Sequence, residues 1–255
     1  MTTTPRDLLI VTMDMPAGRP VERGDLSLAL AGAELIDLLR AGVVTIRRDR
    51  IVAGERPDMA EPSSAEPVAG EPSSDEPASD TPVSSEPASG ETAEDARPEA
   101  VPAASGGALD DTLLAEAAAS VSSIGPDEPV GEWLWQHGRG LAATYLAAFE
   151  AEGQLVREGH RRWGLFRSSQ MVLVDSPARR RAANRWAADE PVLAALATAI
   201  GVRDKRTHDS PEVNDPAAGA VLAAVTDALA ELADERQRRA RKLDDAAVTN
   251  YRRGY

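Results

Sequence analysis

The stretch Leu28-Ala-Leu-Ala-Gly-Ala-Glu-Leu-Ile-Asp-Leu-Leu-Arg-Ala-Gly-Val-Val-Thr-Ile46 decides how this chain folds. Leu28, Leu35, Leu38 and Leu39 recur at helical spacing, so one face of a helix is apolar. Gly42 stands where a helix accepts a left-handed residue to end on, and Val43 to Ile46 changes to β-branched strand chemistry. The reading is a helix that stops at a glycine and runs directly into a hairpin, Val43 to Val52. The same order returns downstream, where Tyr145 to Glu152 leads through Gly153 into a second hairpin ending at Phe166.

Working outward, Thr4-Pro5-Arg6-Asp7 has the form of an N-cap, an N1 proline and an acid in the first turn, which predicts a short helix to Asp14; Leu8 to Thr12 would also suit a buried strand. Further helices are expected over Leu109 to Ser120, over Gly131 or Glu132 to Glu152, from Ser176-Pro177 to Ile200, and from Ala217 to about Leu243, with a frayed tail over Tyr251 to Tyr255. The second hairpin is expected as Gln154 to Arg157 and Arg162 to Phe166, turning at Glu158-Gly-His-Arg161. The fold class is therefore mainly α: a single helical domain with two small β-hairpins following helices, interrupted by a long disordered insertion. The domain is discontinuous, 5–53 and 107–235, with 54–106 as the insertion and 236–255 as a basic helix end and tail.

The insertion carries most of the charge. Glu55 to Glu99 holds thirteen acids and two bases, a net of −11, whereas the whole 255-residue chain carries −14, so the rest is close to balanced at −3. Within it six five-residue units run from Glu61 to Gly90, each with proline second. Proline at that interval rules out helix and ladder, and like charges favour extension, so the segment reads as a solvated linker. Closing such a loop costs little more than closing a short one, because the entropy grows with the logarithm of length.

Composition removes several function classes. The chain has no cysteine, which excludes disulfides and thiolate chemistry. The opening residues lack a signal-peptide pattern and no uninterrupted apolar run approaches about 18 residues, so the expected location is cytoplasmic, peripheral on the cytosolic face of a membrane if attached at all. Twenty-six arginines against two lysines, Lys205 and Lys242, point to a bacterial coding sequence. No nucleophile elbow, phosphate loop or paired-carboxylate pattern is visible, and Gly138-Arg-Gly-Leu-Ala-Ala143 lacks the preceding strand a dinucleotide fingerprint requires. His137, His160 and His208 have no metal-ligand spacing. The chain is thus expected to be no enzyme and to hold no cofactor or metal.

The blocks quoted above, with Leu109-Asp-Asp-Thr-Leu113, Glu150-Ala-Glu-Gly-Gln-Leu-Val156 and Trp163-Gly-Leu-Phe166, resemble the Golgi phosphoprotein 3 family, especially its short bacterial relatives. The resemblance implies a mainly helical, non-enzymatic protein that binds the cytosolic leaflet peripherally; eukaryotic members recognise phosphatidylinositol 4-phosphate and adapt cargo enzymes to vesicle coats. Of the family's headgroup arginines, one falls on Arg139, while others fall on Ala31, Ala142 and Thr144, and the loop Val21 to Asp25 lacks the family's tryptophan. Asp204 to Thr207 matches again, but His208 to Pro216 stands where a long apolar helix should follow, implying a shortened C-terminal part.

In that family the second hairpin contributes to membrane contact and self-association. Here it offers Arg157, His160, Arg161, Arg162 and Trp163. Three arginines near anionic lipid are worth roughly 3 kcal/mol, a weak attachment to which an interfacial tryptophan adds. The lipid-binding candidates are accordingly Arg139, Arg157, Arg161, Arg162 and Trp163, with anionic phospholipid as the expected partner and a homo-oligomer as the expected assembly. Two other readings stay open. One is a cytosolic protein–protein scaffold without lipid binding. The other is a winged-helix-like nucleic-acid binder, although Asp25 to Arg40 and Glu132 to Glu152 each carry three acids and one base, the wrong balance for a recognition helix. Arg179-Arg-Arg181 with Arg185 opposes the helix dipole at the start of its helix, and reads as a solvated face or a site for an acidic partner.

Overall fold

The computed structural model describes residues 3–15, 20–54, 111–123, 127–162, 166–202 and 213–253. The insertion, Trp163, and the segment from Asp204 through His208 lie outside the described residues. The described part consists of helix α1 (Thr4–Asp14), helix α2 (Arg23–Arg40), strands β1 (Val44–Arg47) and β2 (Arg50–Ala53), helix α3 (Thr112–Ser123), strand β3 (Glu128–Pro129), helices α4 (Val130–His137) and α5 (Leu141–Ala151), strands β4 (Leu155–Arg162) and β5 (Phe166–Leu173), and helices α6 (Pro177–Ala187), α7 (Pro191–Ala199) and α8 (Pro216–Arg253). The mainly α class expected from the sequence is the class observed.

Helix α2 is the axis of the core. Every residue from Leu26 to Leu38 is buried, because α1, α3, α4, α5, α7 and α8 all pack on it. Gly32 permits the approach of α8: a Cβ at this position would run into Val225. Helix α1 is covered all round its middle, with Leu8, Leu9, Ile10 and Val11 at most 2% exposed. That explains why its sequence suited a strand as well as a helix. Its N-cap is Thr3, one residue earlier than expected. Thr4 instead donates from its N–H and its Oγ1 to the two carboxylate oxygens of Asp37, each at 2.6 Å.

The helix–glycine–hairpin unit occurs twice, as expected. Gly42 has φ +71°, its N–H reaches the carbonyl of Leu39, and the next N–H, of Val43, reaches that of Leu38; Gly153, φ +70°, repeats the arrangement with Glu150 and Phe149. Both are left-handed glycine stops that satisfy otherwise unpaired terminal carbonyls. The first hairpin turns on Arg48 and Asp49, both at positive φ, the two-residue turn whose twist suits paired strands, and β3 adds a third strand against β2. In the second hairpin the register runs from Leu155↔Leu173 to Arg162↔Phe166. Each strand has eight residues, so the chain reverses beyond Arg162 and not at Glu158 to Arg161.

Two expected long helices are each two helices. The stretch to Glu152 is broken at Gly138-Arg139-Gly140, where Gly140 has φ +74°. The stretch to Ile200 is broken at Asp189-Glu190-Pro191: Asp189 has φ +51°, proline cannot continue a helix from within, and the Glu190 side chain caps α7 by accepting from the Leu193 N–H at 2.7 Å. The last helix is longer than expected, 38 residues running to Arg253. It also contains an 18-residue window of mean hydropathy 1.4, long and apolar enough by composition to cross a membrane. In the fold, Ala218, Val221, Val225 and Ala228 of this helix are buried, and make that half a wall of the core.

Candidate functional site

The α4–α5 turn carries Arg139, and three buried side chains fix that turn to α2. Glu34, wholly buried in α2, accepts a hydrogen bond from the Tyr145 hydroxyl of α5 at 2.7 Å on one oxygen and lies 2.6 Å from His137 Nε2, the last residue of α4, on the other. The His137 ring stacks on buried Trp133 with centroids 4.5 Å apart. Burial pushes the Glu34 carboxyl above the ordinary carboxylate range, opposed by its bonds to His137 and Tyr145, and burial also raises the Tyr145 hydroxyl. A third tie is Ser27 Oγ, which accepts from the Ala142 N–H at 3.0 Å and satisfies one of the free donors at the start of α5. None of this network was expected. Its signal in the sequence is Glu34 itself, an acid set between Ala33 and Leu35 inside an apolar run.

Held in this way, exposed Arg139 lines a groove of about 260 Å³ with Arg23, Ser27, Leu28, Trp135 and Leu232. Neither Arg23 nor Arg139 has a carboxylate partner among the described residues. Trp135 also lines a cleft of about 580 Å³ edged by Asp49, Glu132, Asp227 and Glu231, and its indole N–H donates to Glu231 at 3.2 Å. The tryptophan lines both, and a further hollow of about 690 Å³ beside it brings Glu132 and Arg139 together with Gln136.

The remaining candidates do not join Arg139. Arg157 is in β4, exposed, and bonded to Glu150 at 3.2 Å. Glu150 is at the C-terminal end of α5 and Arg139 precedes its N-terminal end, so 11 residues of helix, roughly 16 Å, separate the two arginines. Arg161 and Arg162 belong to β4, where only their backbone is described, opposite Arg167 and Phe166. The hairpin is rooted by buried Leu155 and Leu173, while Val156, next along, is 43% exposed. The four described candidates thus occupy two separate places: Arg139 the groove at one end of α5, and Arg157, Arg161 and Arg162 the hairpin at the other.

The arginine run of α6 is largely matched to acids of this chain, while Arg180 and Arg181 remain on a solvated face. Arg179 forms a two-bond fork with Asp14 at 2.8 and 2.6 Å, Arg180 pairs with Asp175, and Arg185 reaches buried Asp7 at 2.5 Å and Glu190 at 3.2 Å. Acids supplied by α1 and by neighbouring loops offset the opposed dipole. Arg6 does similar work, bonding Asp111 and Glu152 while its guanidinium lies 5.4 Å over Phe149. Ala31 and Ala142, where the resemblance implied family arginines, are 0% and 1% exposed, inside the core between α2 and α5. The third, Thr144, is exposed on α5.

A helical body built round one buried helix, with two hairpins that each follow a helix, defines a mainly α protein. The sequence profile of Golgi phosphoprotein 3 (GPP34) matches residues 5–249, and the chain belongs to that family. The match runs on into α8, which places the long last helix within the family pattern. No curated protein and no solved structure matches the chain.

Proposed function

We propose that this protein is a non-enzymatic peripheral adaptor that meets anionic phospholipid on the cytosolic face of a membrane, with the groove of Arg23 and Arg139 and the β4–β5 hairpin as its two contacts. One observation carries the reading: Arg23 and Arg139, neither with a carboxylate partner among the described residues, line one groove beside a half-buried tryptophan. A guanidinium pair beside an aromatic edge suits a phosphate ester at a membrane interface. The hairpin supports it through an exposed Val156 and the arginines along β4.

With Ala31 and Ala142 enclosed, the family's full set of phosphate contacts is missing, so the recognition we propose is of charge and not of one headgroup. Liposome flotation tests this. Recovery is expected to rise with acidic lipid, to fall with salt as screening shortens to about 10 Å at 0.1 M, and to drop in Arg139→Ala and in Arg161→Glu/Arg162→Glu. Phosphatidylinositol 4-phosphate is expected to perform no better than other anionic lipids at equal charge. Equal recovery on neutral and anionic vesicles would overturn the proposal in favour of a scaffold without lipid binding.

A further inference from the structure

Apart from Arg23, Arg139 and the hydroxyl of Ser27, the groove beside the α4–α5 turn is apolar. Leu28 of α2, Trp135 of α4 and Leu232 of α8 wall it, while Gly24, Gly138 and Gly140 place no side chain in it. The acceptors of the lining are already in use. Ser27 Oγ takes the Ala142 N–H at 3.0 Å, the Gly138 carbonyl takes the Leu141 N–H at 3.2 Å, and the Gly140 carbonyl takes those of Ala143 and Thr144 at 2.8 and 3.2 Å. A ligand rich in hydroxyls would leave water for a surface with little to bond it, and each unmade bond costs free energy. A hydrocarbon chain loses nothing there.

Two different demands meet in this groove. Exposed Arg23 and Arg139, neither with a carboxylate partner among the described residues, call for an anion that can serve both guanidinium groups. One arginine fork is enough to occupy a carboxylate, whereas a phosphate monoester brings three acceptor oxygens and about twice the charge near neutral pH. The leucines and the tryptophan call for an alkyl chain. Such a chain gains most when it arrives from water, because a chain already inside a bilayer has left water behind.

We infer that this groove binds a single-chain alkyl phosphate taken from water as a monomer, with its phosphate on Arg23 and Arg139 and its chain among Leu28, Trp135 and Leu232. The inference goes beyond the membrane contact, since no bilayer is needed to present the ligand. Both uses of the groove share Arg139.

Calorimetry of the full chain with butyl, hexyl and octyl phosphate, each below the concentration at which it forms micelles, tests the site. Affinity should rise by up to about fourfold per methylene, and the longer members should bind with a negative heat-capacity change, the mark of buried apolar surface. Arg23→Ala and Arg139→Ala should each weaken every member of the series by a similar factor. Leu232→Ala and Trp135→Ala, on different helices and checked for folding by circular dichroism, should cost octyl phosphate more than butyl phosphate. Octanol should bind at least about tenfold more weakly than octyl phosphate, because it offers the arginines no charge. A series flat in chain length, a rise that appears only with micelles, or a rise untouched by both Leu232→Ala and Trp135→Ala would overturn the inference. Flotation on anionic vesicles separates the two readings. Recovery on vesicles beside a flat series removes the groove ligand and leaves the membrane contact, whereas a steep series without recovery keeps the ligand and removes the membrane contact.

Discussion

Tyr145 and Glu34 are 111 positions apart in the chain and 2.7 Å apart in the fold, joined by the only hydroxyl that reaches into the core beside α2 among the described aromatic residues. Through this bond α5 is fastened to the central helix, and with α5 goes the turn that presents Arg139. Tyr145→Phe leaves shape and packing intact but strips a buried carboxylate of one partner. A loss of about 1–3 kcal/mol is expected in urea unfolding, the usual cost of removing a bond to a charged buried group. A change within error would show that Glu34 is satisfied without the tyrosine.

Glu34 also sets a pH dependence. Its folded-state carboxyl is raised above about 4.5 by burial, so the stability it contributes is fully present below that value and is lost as pH rises through the higher folded value. Glu34→Gln cannot ionise. The melting temperature of the wild type minus that of the variant should therefore be largest near pH 4.5 and shrink toward pH 8. Asp7 and Asp37, also raised by burial, are common to both chains and cancel. A difference that grows with pH would reverse the sign assigned to Glu34.

The approach of α2 and α8 rests on Gly32 against Val225. Gly32→Ala forces a methyl into a packed wall and should destabilise by about 1–3 kcal/mol. Val225→Ala vacates that space, so the double variant should be more stable than the sum of the two single losses allows, a coupling that a double-mutant cycle measures. Simple additivity would mean that the helices separate rather than clash.

Deleting Glu61 to Ala104 should leave the melting temperature of the folded part nearly unchanged, since the segment offers few apolar side chains to a core and a proline in each repeat. It removes ten of the eleven net negative charges between Glu55 and Glu99. Recovery on anionic vesicles at low salt should rise if those charges screen the arginines. A chain that unfolds on deletion, or one with unaltered recovery, would show the insertion to be structural or electrostatically idle.

Much of the fold was legible because it is written in local backbone chemistry. Gly42 and Gly153 end helices since only glycine takes a left-handed φ without strain, and Ser176 caps α6 by accepting from the Arg179 N–H, as the Ser-Pro pair announces. The same kind of signal stands at Gly138-Arg139-Gly140 and at Glu190-Pro191, where two helices divide in place of running through. The extent of α8 was hidden for a different reason: beyond Leu232 its residues favour helix by propensity, while the apolar pattern that marks a helix thins out.

The sequence by itself determined the class of fold, the two helix-to-hairpin joints, the charge of the insertion and the family. The tertiary structure alone decided which charges are free. Arg179 and Arg185 are bound to acids 165 and 178 positions away, Glu34 is matched by residues more than 100 positions on, and Arg139 and Arg157 stand at opposite ends of one helix. Backbone preferences act between neighbours and can be read in order along a chain. A side chain's partner is set by where packing brings a distant element, and no local pattern carries that distance.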